Sequence, residues 1–181
     1  MQAIDDNNME HLLRFAKSLP MLFPDIKVEF KVLDCTNEDN IKLYFNGIQP
    51  FKVKAPYYLI LSSTTDNGYY INAGYLMEQV SLYLTTKGIG SCFLGAVKLS
   101  DEVSIPSSME HVITLAFGES KSNIYRTSGK VRRLPEEDTV TYKEEVNESV
   151  KTIIKGGRMA PSSMNSQPWR FVAYKNRIHV F

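Results

Sequence analysis

Hydrophobic positions along the chain repeat with two different periods, and the switches between them mark the elements. Met9, Leu12, Leu13, Ala16 and Leu19 fall at helical spacing, and Pro20 ends that run. Ile26, Val28, Phe30 and Val32 then alternate with Lys27, Glu29 and Lys31, the period of a half-buried strand. Residues 34–49 are polar and form a connection with room for a short helix. Ala55-Pro56-Tyr57-Tyr58-Leu59-Ile60-Leu61 is a mostly apolar run of strand length, which predicts burial on both faces. A turn at Asp66-Asn67-Gly68 leads into a helix from about Asn72 to Lys87. Leu76, Val80, Tyr83 and Leu84 share one face of that helix, with Met77 beside them, and Lys87-Gly88 supplies its stop. His111 to Phe117 reads as a strand ended by Gly118, and Ser120 to Glu137 as irregular and basic. Thr141-x-x-Glu144 has the form of a capping box for a helix with a buried stripe of Val146, Val150, Ile153 and Ile154. Trp169 to Tyr174 is the next strand, and Asn176 turns the chain into Ile178-His179-Val180-Phe181. Helices interleaved with short strands predict an α+β or α/β layer fold.

Length and charge narrow what such a fold can do. At 181 residues the chain is expected to form one domain, residues 1–181, with a sizeable core. Two segments, Ala55-Pro56-Tyr57 and Gln167-Pro168-Trp169, share a Pro-aromatic entry to a strand. They hint at two weakly similar halves, roughly 1–140 and 141–181, the second truncated. A net charge of +1 argues against nucleic acid or an anionic membrane as the main partner. No stretch approaches the ~20 apolar residues of a membrane span, and the acidic N-terminus lacks a signal-peptide apolar region. Cys35 and Cys92 are too few for a disulfide framework or a metal cluster, so the compartment reads as cytoplasmic.

Ordinary catalytic patterns are missing. His11, His111 and His179 lie far apart with no metal-ligand spacing, and the latter two sit in strand-like runs that favour a structural role. Cys92 has no histidine tied to it by pattern and reads as a small buried hydrophobe. No serine stands in a Gly-x-Ser-x-Gly elbow. No metal site and no catalytic acid, base or nucleophile is therefore expected, and any reactivity has to come from a cofactor.

Three segments could hold one. The run Ala160-Pro161-Ser162-Ser163-Met164-Asn165-Ser166-Gln167-Pro168-Trp169 puts hydroxyls, amides and two prolines between a helix and an aromatic strand, which suits a flat polar ligand. Gly88 to Gly95 holds three glycines in eight positions; it serves either as close backbone approach to a ligand or as a helix cap and a tight turn into a strand. Arg126-Thr127-Ser128-Gly129-Lys130-Val131-Arg132-Arg133 offers either a phosphate site or a solvated basic loop. Glu136, Glu137 and Asp138 would neutralise it locally.

Together these residues resemble the nitroreductase family of FMN-dependent oxidoreductases. The decamer is similar to its Ala-Pro-Ser-x-x-Asn-x-Gln-Pro-Trp signature, and Gly88-Ile89-Gly90-Ser91-Cys92-Phe93-Leu94-Gly95 to its Gly-Leu-Gly-Ser-Cys-Trp-Leu-Gly turn. Ala116-Phe117-Gly118-Glu119 and Arg132-Arg133-Leu134-Pro135 resemble its last strand and the basic segment after it. The order of decamer and turn is that of a smaller subgroup with two similar halves in one chain. The family's early Arg-Arg-Ser-x-Arg motif is missing, and the chain stops at Phe181, so both ends read as trimmed.

The resemblance implies an α+β fold with a central mixed β-sheet flanked by helices. It also implies FMN, with NADH or NADPH as donor, and ping-pong hydride transfer to a nitroaromatic, quinone or similar small-molecule acceptor. Pro161, Ser162, Ser163 and Asn165 would contact the flavin, with Gln167 near it. Leu94 and Gly95 would lie by the isoalloxazine ring, and Arg133, with Lys130 or Arg132, would hold the phosphate. A homodimer follows from the same resemblance. The missing arginines leave a second expectation open: a degenerate member with weak or no FMN binding, acting as a ligand-binding or regulatory domain.

Overall fold

A strand whose successive side chains are all buried needs partners on both edges and cover on both faces, and β3 (Tyr57–Ser63) has them. The computed structural model of the chain describes residues 1–46, 53–125 and 131–181. It divides into two compact units, Met1–Tyr125 and Arg126–Phe181.

In the first unit β3 pairs antiparallel with β1 (Val28–Asp34) on one side and β6 (Glu110–Glu119) on the other. β4 (Ile89–Leu94) completes the sheet beyond β6, giving the order β1-β3-β6-β4, antiparallel throughout. Alternate residues then divide the core. Leu59, Leu61, Leu115 and Phe117 join Leu12, Ala16, Leu76, Met77, Val80 and Leu84 of two helices, α1 (Asp6–Ser18) and α3 (Tyr69–Thr86). Tyr58, Ile60, Ala116 and Leu94 face the other way, with Ile41 of α2 (Asp39–Tyr44) and Phe45 of a small β2 (Phe45–Asn46)–β5 (Lys98–Leu99) ribbon.

Helix ends follow local chemistry. Asp5 caps α1, its carboxylate accepting from the Asn8 N–H at 2.7 Å, and Phe15 stacks on Tyr83 of α3 with ring centroids 4.2 Å apart. Asn72 is fully buried, and its Oδ1 accepts from the N–H groups of Leu22 and Phe23, tying the loop after α1 to the start of α3. Gly68 precedes α3 at φ +93°, where a β-carbon would also stand 2.9 Å from the Phe23 ring. At the other end Gly88 takes φ +73°, the left-handed stop expected from Lys87-Gly88. β4 begins at the next residue, so most of the glycine-rich run is an edge strand, and the turn out of it is made by Ala96 at φ +53°.

The second unit has a three-stranded sheet, order β7-β8-β9, in which β7 (Val140–Tyr142) runs parallel and β9 (Arg177–Val180) antiparallel to β8 (Phe171–Tyr174). Mixed pairing thus occurs in this sheet. Two helices, α4 (Glu136–Thr139) and α5 (Glu148–Arg158), accompany it around a core of Val140, Val146, Ile154, Phe171 and Ala173. α4 lies where the sequence reads as irregular. The α+β class holds in both units.

Two local expectations are corrected here. Thr141 does not cap α5: its backbone is engaged in the β7–β8 ladder, and Asn147 caps instead, accepting from the Val150 N–H at 3.0 Å. Ile153 is 64% exposed while Ile154 is 1% exposed: the core of this unit takes Val146, Val150 and Ile154 and leaves Ile153 outside it. Both Pro-aromatic entries feed the central strand of their own sheet.

Candidate functional site

Residues 160–169 carry an unusual backbone. Met164, Asn165 and Gln167 adopt φ of +52°, +57° and +50°, three non-glycine residues in the left-handed region within four positions. Each such residue costs on the order of 1–2 kcal/mol, so its surroundings have to impose it. Part of that imposition is local. Asn165 N–H donates to the Ser162 carbonyl, Ser166 N–H to the Ser163 carbonyl, and Gln167 N–H to the Ser162 hydroxyl, each at 3.0 Å.

The rest comes from residues 132–139. Gln167 is buried; its Oε1 accepts from the Leu134 N–H at 2.8 Å and its Nε2 donates to the Asn165 carbonyl at 3.2 Å. Asn165 donates from Nδ2 to the Arg132 carbonyl, and its Oδ1 accepts from Arg133 Nη1 at 3.1 Å. Arg133 also donates from Nε to the Arg158 carbonyl, from Nη1 to the Arg132 carbonyl, and from Nη2 to the carbonyls of Met159 and Ala160, at 2.8–3.3 Å. Those at 158–160 belong to the end of α5, where a helix leaves acceptors unpaired. Arg158 reaches back the other way, to the Leu134 carbonyl at 3.0 Å, the Glu136 carboxylate at 2.8 Å and the Thr139 hydroxyl at 3.1 Å.

This network leaves a distinct outer rim. Pro161, Ser163 and Met164 are exposed, Met164 to 95%. Neither the Ser163 hydroxyl nor the exposed Arg132 guanidinium bonds to any described residue. Asn165 retains one amide hydrogen and one lone pair beyond its two bonds. The indole N–H of Trp169 is buried without a partner among the described residues, its ring packed against the core of the second unit.

Of the residues singled out from sequence, Ser162, Asn165, Gln167, Arg132 and Arg133 meet in this one network, and Pro161 and Ser163 lie on its rim. Leu94 and Gly95 belong to the first unit. The Leu94 side chain is committed to the core there, and Gly95 follows with open space where a β-carbon would stand. Lys130 falls outside the described residues. Arg158 and Thr139 were not singled out, and Glu136 was expected only to neutralise the basic segment. Their signal is a basic residue in the last turn of a helix set against an acidic one.

Other candidate groups are held in structural roles. His111 shares a hydrogen bond of 2.8 Å with the buried Thr114 hydroxyl, and burial pushes its pKa below the ordinary value. Burial, aided by Asp34, pushes the Cys35 thiol up to about 12, where it is unreactive. Among the described residues no cluster of His, Cys, Asp or Glu could hold a metal ion, and no helix is long and apolar enough to cross a membrane.

A family profile described as "Putative TM nitroreductase" matches residues 1–181. Among solved structures, a "putative nitroreductase" of Thermotoga maritima MSB8 superposes with TM-score 0.60 at 17% identity, covering 99% of this chain and 70% of that one. An "FMN-dependent Nitroreductase" of Clostridium difficile R20291 gives 0.54 at 18%, covering 72% and 88%. A "Putative NADH Oxidase" of Clostridium acetobutylicum gives 0.53 at 17%, covering 76% and 88%. At these identities the superpositions show the fold. No curated protein matches the sequence. The profile covers the whole chain, which belongs to the nitroreductase family and is an oxidoreductase by that membership.

Proposed function

We propose that this member of the nitroreductase family is an FMN-dependent oxidoreductase that takes hydride from NADH or NADPH and passes it, in a ping-pong cycle, to a nitroaromatic, quinone or similar electron-poor acceptor. The observation that carries this reading is the rim of the 160–169 loop: a free hydroxyl, spare amide capacity and an unpaired guanidinium, held on a backbone whose strain the network beneath it sustains. That donor set fits a flat heteroaromatic ring with a phosphate tail. Bound FMN would supply the hydride chemistry.

The chain's own residues bind, orient and exclude water. Pro161, Ser162, Ser163 and Asn165 take the polar edge of the ring, and the buried Gln167 keeps Asn165 in place from behind. The Arg132 guanidinium, with Lys130 two residues earlier in the chain, takes the phosphate. By the same resemblance, backbone N–H groups at Leu94 and Gly95 of the first unit would stabilise negative charge on a bound flavin ring. We read the two units as one domain of a cytoplasmic homodimer.

A second reading has its own support. The donors of Arg133 are spent on the protein itself. That feature favours a degenerate member with weak flavin affinity and a ligand-binding or regulatory role. Gel filtration after loading with FMN separates the two. The enzyme reading expects near-stoichiometric yellow absorbance to travel with the protein and bleach under NADH or NADPH. Colourless protein after micromolar loading overturns it in favour of the second.

A further inference from the structure

An arginine beside a ligand loop invites assignment to the ligand, but a guanidinium has only five N–H groups to give. Arg133 directs all three of its nitrogens at the chain: three carbonyls at the end of α5, the Arg132 carbonyl and Asn165 Oδ1. Turning it toward an anion would leave the α5 carbonyls and Asn165 without those partners. Arg158 makes the mirror-image connection, leaving α5 for the Leu134 carbonyl, Glu136 and Thr139. Each arginine starts from one segment and grips the other. Leu134 is held twice, its carbonyl by Arg158 and its N–H by Gln167. Arg132, next in sequence, has an exposed guanidinium with no partner among the described residues.

We infer that Arg133 is a positioning residue: with Arg158 it forms a reciprocal clamp that holds residues 159–167 and their left-handed positions Met164, Asn165 and Gln167, and it leaves Arg132 as the anion-binding arginine of residues 131–134. The clamp itself stands on the geometry of the second unit. Its consequence for a phosphate rests on the flavin reading above.

Two chemical contrasts test it. Lysine keeps the charge of arginine but not the fork, so Arg133→Lys would restore a phosphate contact and would not restore a grip on several carbonyls. Riboflavin lacks the phosphate that FMN carries, so a phosphate ligand discriminates between them and a positioning residue does not. Full-length wild type, Arg133→Gln, Arg133→Lys and Arg132→Gln are compared. In flavin-free protein, amide hydrogen exchange at Asn165, Ser166 and Gln167 is expected to rise about tenfold or more in both Arg133 variants. Exchange in β3 and β6 stays unchanged, as does all exchange in Arg132→Gln.

By quenching of flavin fluorescence, both Arg133 variants are expected to weaken FMN and riboflavin by the same factor, about tenfold. Arg132→Gln weakens FMN by a similar factor and leaves riboflavin alone. Unchanged exchange in the Arg133 variants, loss of FMN affinity alone in Arg133→Gln, or recovery of FMN affinity in Arg133→Lys would each overturn the assignment. Should Arg133→Gln lose protection throughout β8 and β9, Arg133→Lys decides. If wild type binds neither flavin, the cofactor reading fails, and hydrogen exchange still decides the clamp.

Discussion

His111 lies on β6 with a ring nitrogen 2.8 Å from the hydroxyl of the fully buried Thr114. Burial disfavours the imidazolium, so the folded pKa lies below the ordinary 6.5. The unfolded chain therefore takes the proton first. Above about pH 6.5 the group contributes no pH dependence; below it the unfolded state binds more protons, and stability declines until the folded pKa is passed. Thermal midpoints of wild type are expected to fall more steeply from pH 7.5 to 5 than those of His111→Gln, which keeps a hydrogen-bonding group without the titration. A wild-type-minus-variant difference that stays flat over that range would contradict this. The histidine's structural role was legible in the sequence from its strand-like neighbours. The division between Arg132 and Arg133 was not, because composition says what a guanidinium can bind and nothing about which way it points. Asn165 and Gln167 stood out as polar residues in a turn, but only the folded structure shows how much of their capacity faces inward.

At the scale of elements, periodicity located α1, β1, β3, α3, β6 and the β8–β9 hairpin, and the capping pattern put the start of α5 six residues too early. A capping-box pattern at Thr141 competes with a strand ladder that single-sequence reasoning cannot see, and the ladder wins. The end of α5 offers a sharper test. Gly156 and Gly157 are adjacent, yet a β-carbon at Gly156 meets nothing within 4 Å, whereas one at Gly157 stands 2.9 Å from the Phe171 ring. Gly156→Ala is therefore expected to stabilise the protein by about 0.5–1 kcal/mol through lost freedom of the unfolded chain. Gly157→Ala forces α5 away from β8 and costs about 1–3 kcal/mol. Urea denaturation of the two variants should move the midpoints in opposite directions; a shared direction would mean that α5 does not approach β8 as described.

Over the whole molecule, the continuous apolar run at residues 55–61 was enough to predict a strand buried on both faces, and that strand is central to its sheet. Strand order is a property of non-local pairing and left no such mark. The opposite side of α3 raises the remaining question. Its inward face, Asn72, Ala73, Leu76, Met77, Val80 and Leu84, is buried, yet Ile71, Tyr75 and Leu82 continue an apolar stripe along the outward face, 63%, 37% and 56% exposed. A helix apolar on both sides calls for cover on both. Glu78, on the same outward stripe, carries a buried carboxylate oxygen without a partner among the described residues, and burial raises its pKa. If the chain dimerises as proposed, this stripe is the expected contact, copy against copy about a two-fold axis. Leu82→Asp places a charge there, and Ile71→Asp does so about three turns away. Both are expected to convert dimer to monomer in sedimentation-velocity experiments at micromolar protein. Leu43→Asp on α2 is the control, since Leu43 is comparably exposed at 46% but lies off the stripe. Loss of the dimer in all three variants would point to general destabilisation, and a dimer that survives both α3 substitutions would remove this face from the assembly.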